Sequence, residues 1–519
     1  MNSLVHDLKN SGLELIETHI SWVFRGPTEV WKVKKPVSFG FLDFRTLEDR
    51  KAACEAEVRL NRRLAPEVYL GVVPITLEGG RHRIGGGGPP VDWAVRMSRL
   101  PDQHRADQRL DRGELDAEQV EALAERIATF HQAASADPAI ARFGTVEAIL
   151  VNVQENFEQT RASLEEHLSP AEARTIETAQ LHFLQEHRAL FDARHRAGRI
   201  RDGHGDLRLE QIYIDEAGRP TILDCIEFNE RFRFADVCAD IAFLSMDLAA
   251  RRRVDLAEVL LAAYARTAND YELYLLVDFY ESYRAFVRGK VATMLAADRG
   301  ADPEPRARAA REARHYYLLA LAAKRPSLIA PVVVAVGGII ASGKSTAARH
   351  LARHLGGPVV DSDRTRKHLA AVGATEPLAE APWEGPYAEM MSRRVYDEVF
   401  RRAGAVLRSG RPVVLDASFR ARAHRWAVRA LAHTVGVPFY FIECRAPLEE
   451  CRARLERRAQ HPNVSDGRPE ILDAFVARFE PIDELSAEEH ITLDTTRPFE
   501  ANVSVLRSRI PGWPTGLEG

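Results

Sequence analysis

The spacing of apolar positions changes character twice along the chain, and the changes mark three stretches. Over residues 1 to about 100, the β-prone segments HISWVFR and EVWKVKK flank Gly26-Pro27, a pattern that predicts a hairpin. From Thr46 to Leu64 Gly and Pro disappear and helix formers dominate, with Pro66 setting the limit, so one helix follows. GGRHRIGGGGPP shows no apolar period and reads as a connection, and VDWAVRM beyond it reads as another strand. A small β-rich lobe over residues 1–100 results.

Residues 101–325 carry long runs such as ELDAEQVEALAERIATFHQAA, whose apolar residues recur at helical spacing, and form a mainly helical lobe. Its one β-like interruption is QIYIDEAGRPTILDCIEF, two apolar runs joined by an Ala-Gly turn directly after HGDL. The helical stretch ADPEPRARAAREARHYYLLALAAKRP is stopped by Pro326, which places a domain boundary there and gives domains 1–325 and 326–519. From Pro331 the apolar strands PVVVAVGG, GPVVDSD, RPVVLDAS and VPFYFIEC alternate with amphipathic helices. Strands of that kind predict a parallel sheet covered on both faces.

Composition narrows the class. A 519-residue chain with 45% apolar and 28% charged residues folds into several conventional cores, which excludes wholesale disorder and a fibrous repeat. Lys+Arg of 71 against Asp+Glu of 75 leaves a net charge of −4, which argues against a protein that coats nucleic acid. The odd, scattered Cys54, Cys225, Cys238, Cys444 and Cys451 suggest neither a disulfide framework nor a zinc site and read as buried thiols. No basic leader opens the chain and no run approaches the roughly 20 apolar residues of a membrane span, so a cytoplasmic protein without membrane contact is expected.

The strongest chemical signal is Gly338-Ile339-Ile340-Ala341-Ser342-Gly343-Lys344-Ser345, which completes G-x-x-x-x-G-K-[ST] between the strand VVVAV and a helix. Gly338, Ser342, Gly343 and Thr346 belong to a loop whose backbone N–H groups turn around phosphates. Lys344 reaches the β/γ oxygens and Ser345 ligates Mg²⁺. The next strand ends in Asp361-Ser362-Asp363, followed by Arg364 and Arg366, at the edge where parallel sheets bind ligands. A carboxylate there can take a hydroxyl proton and an Arg can clamp an anion, with Asp363 favoured for chemistry and Asp361 open between chemistry and a helix cap. In VVLDAS, Asp416 stands at the end of an apolar strand, the position of a Walker-B carboxylate that would hold Mg²⁺ directly or through water. Arg454, Arg457 and Arg458 lie on a helix leading into HPNVSDGRPE, a composition shared by a phosphate-closing lid and a solvated charged helix. No N-K-x-D sequence points to guanine.

In the first region His204-Gly205-Asp206-Leu207 precedes the hairpin and Asp224 follows it. This order suits a base, Asp206, and a Mg²⁺ ligand, Asp224, for phosphoryl transfer. Three lysines compete for the phosphate role. Because strand side chains alternate, Lys32 would leave Val30 facing adenine whereas Lys34 would put a second lysine there, so Lys32 is preferred over Lys34 and Lys35. Its partner is Glu57, which shares an apolar helix face with Ala53, Leu60 and Leu64. Glu55 and a solvated Glu remain the alternatives. Asp236 and Asp240 read as helix caps or as supports of the catalytic loop.

These motifs carry resemblances. Residues 331–500 resemble P-loop small-molecule kinases of the zeta-toxin, chloramphenicol phosphotransferase and polynucleotide kinase type. That resemblance implies Asp363 as general base, Arg366 on the acceptor and Arg454 or Arg458 in a lid. Residues 20–300 resemble the aminoglycoside phosphotransferase and choline-kinase-like family. With FGFLDF, RLNRRLAPEVYLGVVPI, HGDL, DCIEFNERFRFADVCADIAFLSMDL and YRAFVRGKV, the whole chain looks like the bacterial bifunctional aminoglycoside phosphotransferase/ATP-binding proteins. The fold so implied is an N-terminal α+β bilobal kinase-like domain followed by a C-terminal α/β P-loop kinase domain. The family pattern places a metal-binding Asn five positions after the catalytic Asp, where this chain has Gln211, one methylene longer. The function implied is an ATP- and Mg²⁺-dependent transfer of the γ-phosphoryl group to a hydroxyl of a small molecule at two sites. A P-loop kinase governed by a non-catalytic nucleotide-binding N-terminal domain and a nucleic-acid-end kinase are the alternatives.

Overall fold

The computed structural model describes residues 2–39, 42–298, 302–322, 324–378, 383–460 and 463–510. Gly40 and Phe41 of FGFLDF, and His461 and Pro462 of the polar stretch after the Arg-rich helix, lie outside them. The chain divides into two units, residues 1–252 with 279–323 and residues 253–278 with 324–519. The sequence boundary at Pro326 puts 253–278 with the first region. Their contacts put them with the second, for reasons that lie in buried charge and are given below.

The first unit opens with a six-stranded antiparallel sheet in the order Glu14–Glu17, Ser21–Arg25, Glu29–Lys34, Pro90–Ser98, Tyr69–Glu78, Arg81–Ile84. The hairpin predicted around Gly26-Pro27 forms its second and third strands, with Val23 opposite Lys32. Alternation puts Trp22, Phe24 and Val33 into a core with Ile75, Ala94 and Leu4 and Leu8 of the helix Asn2–Asn10. The expected helix spans Leu47–Asn61, three residues short of Leu64, and starts where the Thr46 hydroxyl accepts the Asp49 amide. The reading of GGRHRIGGGGPP as pure connection is corrected: Arg81–Ile84 is an edge strand. Its backbone pairs with Ile75–Glu78, while its side chains stay too exposed to show an apolar period.

The helical lobe is as the period predicts, with Ala117–Ala133 begun by an Asp116/Gln119 capping box. The hairpin Ile212–Ile214/Pro220–Ile222 follows HGDL. It is not the lobe's only β element, because Ile200–Asp202 pairs with Phe234–Asp236. Three-residue strands carry too little pattern to be seen in sequence. Helix Val237–Ala250 is buried along nearly its whole length, with Asp236 capping it and gripping buried Arg194 at 2.5 and 2.6 Å.

The second unit holds a five-stranded parallel sheet in the order Val359–Asp361, Val413–Asp416, Val333–Gly337, Phe439–Arg445, His490–Asp494. Pairing is parallel throughout. The central strand Val333–Gly337 is buried at every position, which is why it reads as an unbroken apolar run. The fifth strand was not anticipated, since HITLD alternates like a half-exposed edge. All five cysteines are buried and none is in a disulfide. Among the described residues no helix is long and apolar enough to cross a membrane.

Candidate active sites

In the first unit, strand Glu29–Lys34 and helix Leu47–Asn61 bring charges into a buried chain. Lys32 Nζ lies 2.9 Å from Glu57 and 2.5 Å from Asp224. Lys34, fully buried two residues on along the same strand face, takes the other Glu57 oxygen at 2.5 Å and pairs with Glu227. Lys35 turns instead to Glu17 at 2.6 Å, and Glu55 lies on an exposed face 3.8 Å from Lys51. Burial pulls the Lys32 ammonium down, but Asp224, Glu57 and Glu227 outweigh it and hold its pKa well above the ordinary value. Burial likewise raises Asp224, and Lys32 and Lys34 overcome it, holding that carboxyl at about 2. Glu227 ends above its ordinary value because burial dominates and Glu57 adds to it. Three carboxylates thus face two ammonium groups, one negative charge in excess.

Asp224 has φ of 69°, a left-handed backbone that costs a non-glycine residue about 1–2 kcal/mol. The surroundings fix it: its amide donates to the Tyr69 hydroxyl (3.2 Å), and the next amide, of Cys225, donates to Asn61 Oδ1 (2.8 Å).

The HGDL loop is held by Asp240, which accepts the amides of His204 (2.6 Å) and Gly205 (2.9 Å). Asp247 accepts the Leu209 amide at 2.9 Å. His204 Nδ1 lies 3.2 Å from the Asp206 amide and its Nε2 lies 2.8 Å from the Leu223 carbonyl. The Asp206 carboxylate is taken by Arg208, which donates Nε to Oδ1 and Nη2 to Oδ2, while its Nη1 reaches Glu210 at 2.8 Å. Against burial, Arg208 and Arg288 keep the Asp206 carboxyl below its usual range. Gln211 joins the hairpin through its backbone carbonyl, which accepts the Leu223 amide, and its carboxamide hydrogen-bonds to none of the described residues.

In the second unit the loop 338–345 passes from the central strand into helix Lys344–Leu355. Gly338 and Gly343 have φ of 138° and 90°, and a Cβ would meet the Cys444 carbonyl at 2.6 Å and Thr495 at 2.9 Å, so both need glycine. Lys344 Nζ donates to the Ile339 carbonyl at 2.7 Å. Burial lowers its pKa, partly offset by Asp416. Burial raises the Asp416 carboxyl above its ordinary value despite the nearby Lys344 ammonium and Ser345.

Asp361 caps helix Ser362–Leu369 by accepting the amides of Asp363 (2.7 Å) and Arg364 (2.9 Å). Burial, then the charges of Asp416 and Asp363, push its carboxyl up to about 7. Lys344, Ser345, Asp416, Asp361, Asp363 and Arg366 line one cavity, completed by Trp383, Tyr387, Tyr396, His424, Arg458 and Phe475. Arg366 donates to the Pro386 carbonyl at 2.5 Å with its guanidinium over the Tyr387 ring. The Tyr387 hydroxyl donates to Asp466 at 2.5 Å, and Asp466 pairs with buried Lys367 at 3.1 Å. The guanidinium groups of Arg420 and Arg478 lie 4.8 and 4.4 Å from the centre of the Trp383 ring.

The two lid candidates differ. Arg454 is tied down, donating to the Thr495 carbonyl at 2.7 Å, to Ala341 at 3.3 Å and to Glu450 at 2.8 Å. Arg458 lines both this cavity and a neighbouring one that includes Thr346, Asn463, Thr495 and Arg497. Sequence reasoning missed Glu227, Arg208, Asp466, Lys367 and Trp383. Only the H-G-D-L-R adjacency could have pointed to one of them, Arg208.

Residues 31–276 match the family described as phosphotransferase enzyme family, and residues 333–482 match that described as AAA domain. Uncharacterized proteins of Mycobacterium tuberculosis and Mycobacterium bovis are 33% identical over 466 residues, covering 90% of this chain and 90% of theirs. Among solved structures, a gluconokinase from Sinorhizobium meliloti is 20% identical over 36% of this chain and 95% of its own, with a TM-score of 0.26. A choline/ethanolamine kinase family protein from Mesorhizobium loti is 13% identical over 60% of this chain and 91% of its own, with a TM-score of 0.35. The two matched regions mark a kinase-type phosphotransferase, and the chain belongs to the bacterial bifunctional family in which an aminoglycoside-phosphotransferase-like domain is fused to a P-loop kinase domain.

Proposed function

We propose that the protein transfers the γ-phosphoryl group of ATP to a hydroxyl of a small molecule, with the P-loop site of the second unit as its principal catalyst. The observation that carries this reading is one cavity lined by Lys344, Ser345 and Asp416 together with Asp363 and Arg366. Phosphoryl transfer demands little covalent chemistry from a protein beyond positioning and charge neutralisation. The loop amides 338–345 cradle the phosphates and Lys344, drawn off the Ile339 carbonyl, neutralises the β/γ oxygens. Asp363 takes the acceptor proton, Arg366 clamps the acceptor, and Arg458 closes on the phosphates.

The residues fit Mg²⁺. Ser345 and Asp416 offer hard hydroxyl and carboxylate oxygen donors in one cavity, and in the first unit Asp224 stands in a cluster one negative charge in excess. Held by these residues, Mg²⁺ would supply neutralisation of the phosphate charge during transfer.

In the first unit Lys32 serves the phosphates and Asp206 serves the acceptor, with Arg208 on its carboxylate. That contact favours the second reading, in which this site binds nucleotide and turns over slowly or not at all. The test uses the full chain. Lys344→Ala is expected to lose nucleotide affinity and transfer at the second site, whereas Asp363→Asn is expected to keep affinity and lose transfer. Calorimetry with a non-hydrolysable ATP analogue beside product formation measures both, and equal transfer in Asp363→Asn and wild type sinks the base assignment.

A further inference from the structure

Residues 253–276 fall inside the match to the phosphotransferase family, yet the segment 253–278 packs as part of the second unit. Helix Val254–Ala268 is anchored there by Glu258, whose fully buried carboxylate faces Arg411 at 3.0 Å and Arg325 at 2.8 Å. Asp278 takes the other end of Arg411 at 2.9 Å. The turn Tyr271–Leu275 then delivers the Tyr271 hydroxyl, which donates to the Val359 carbonyl at 2.7 Å in the strand that ends at Asp361.

From Tyr271 the contacts run on to the acceptor side of the P-loop site. The Arg402 guanidinium lies 5.3 Å from the centre of the Tyr271 ring and donates to the Thr365 hydroxyl at 3.0 Å. Glu398 holds Arg402 in place at 2.8 Å, and Thr365 donates in turn to the Asp361 carbonyl at 2.6 Å. Thr365 sits between Asp363 and Arg366 on helix Ser362–Leu369. A helix of that length is marginal without tertiary support, so these contacts decide where it points. Tyr271 and Arg402 are buried and absent from the cavity wall.

We propose that Tyr271 and Arg402 are positioning residues for the acceptor side of the P-loop site, so that the second kinase includes residues 253–278. This rests on the reading of Asp363 and Arg366 given above. The segment is also continuous in sequence with helix Val237–Ala250, whose Asp240 and Asp247 hold the HGDL loop of the first unit.

The test uses the full chain with the first site disabled by Asp224→Asn. Mg·ATP turnover with water as acceptor reads the chemical step, and calorimetry with AMP-PNP reads nucleotide binding. Tyr271→Leu removes hydroxyl and ring and should lower kcat about tenfold or more, since small misplacements of catalytic groups are costly, with AMP-PNP affinity within about twofold. Tyr271→Phe, which keeps the ring under Arg402, should recover most of that loss. Unchanged kcat in Tyr271→Leu, or lost AMP-PNP affinity with kcat kept, overturns the proposal. Should Tyr271→Leu not fold, Thr365→Val must give the same split.

Amide hydrogen exchange serves where water turnover is too slow to read. Residues 361–366 should exchange about tenfold faster in the variant while 338–346 do not change, as expected of a local opening. Equal exchange contradicts the proposal. Wild type that fails to bind AMP-PNP contradicts the kinase reading instead, and leaves the exchange comparison to judge this one.

Discussion

Arg208 grips Asp206 through two parallel bonds, Nε to Oδ1 at 2.9 Å and Nη2 to Oδ2 at 3.0 Å. A carboxylate so held is well oriented and poorly basic, because the pairing that fixes its geometry also stabilises its charged form. Removing the guanidinium should therefore free the base of the first unit. In a full chain carrying Lys344→Ala, Arg208→Gln is expected to raise ADP release by roughly 10-fold to 100-fold, within what a positioned general base contributes. With Arg208 gone, burial moves the Asp206 carboxyl up, so the acid limb of the pH–rate profile should shift to higher pH. A lower rate in the variant would make Arg208 part of the catalytic machinery rather than a restraint on it.

Asp240 predicts how stability depends on pH. Burial opposes its charge, but His131, His204 and Arg284 hold its carboxyl far below the ordinary value. A depressed folded-state pKa means stability that is fully present above the unfolded value of about 4 and is lost as pH falls below it. Asp240→Asn should cost about 3 kcal/mol at pH 7, as loss of a buried, bonded charge does, and the gap to wild type should shrink at pH 3. Urea unfolding at the two pH values measures it, and a gap that widens on acidification contradicts the assignment.

Glu258 faces two guanidinium groups in the interior of the second unit. Glu258→Gln takes a buried carboxylate charge away from both Arg411 and Arg325 and should destabilise that unit by about 3 kcal/mol. Adding Arg411→Met should recover part of the loss, because it removes the buried charge left behind. Thermal unfolding of the single and double variants checks both statements, and additive losses would contradict the coupling.

What could be read in the sequence was what is local in it. The P-loop is one contiguous run between a strand and a helix, so motif and context could be checked together. Lys32, Asp206 and Asp224 followed from the order of a hairpin, a loop and a second hairpin. Lys34 with Glu227 and Tyr387 with Asp466 join residues 193 and 79 positions apart, and no period encodes such pairs. The segment 253–278 shows the same limit differently. Its helical pattern announces an apolar face and is silent on which core receives it, and the choice falls to a buried Glu–Arg pairing across 153 positions. Arg81–Ile84 escaped because an edge strand is held by backbone bonds that leave no apolar signature.

The central claim is that ATP's γ-phosphoryl group leaves through the P-loop site, and transfer of label from γ-labelled ATP into a bacterial metabolite extract tests it most directly. Three full-length proteins are compared: wild type, Lys344→Ala, and Asp224→Asn. In the proposed reading Lys344 neutralises the β/γ oxygens, and loss of one such electrostatic contact typically lowers a rate by about 10² to 10³-fold. The account predicts a labelled small-molecule product with wild type and with Asp224→Asn, and its loss by about that factor with folded Lys344→Ala. Undiminished labelling by Lys344→Ala, with the product instead lost in Asp224→Asn, would contradict it and move the principal chemistry to the first unit.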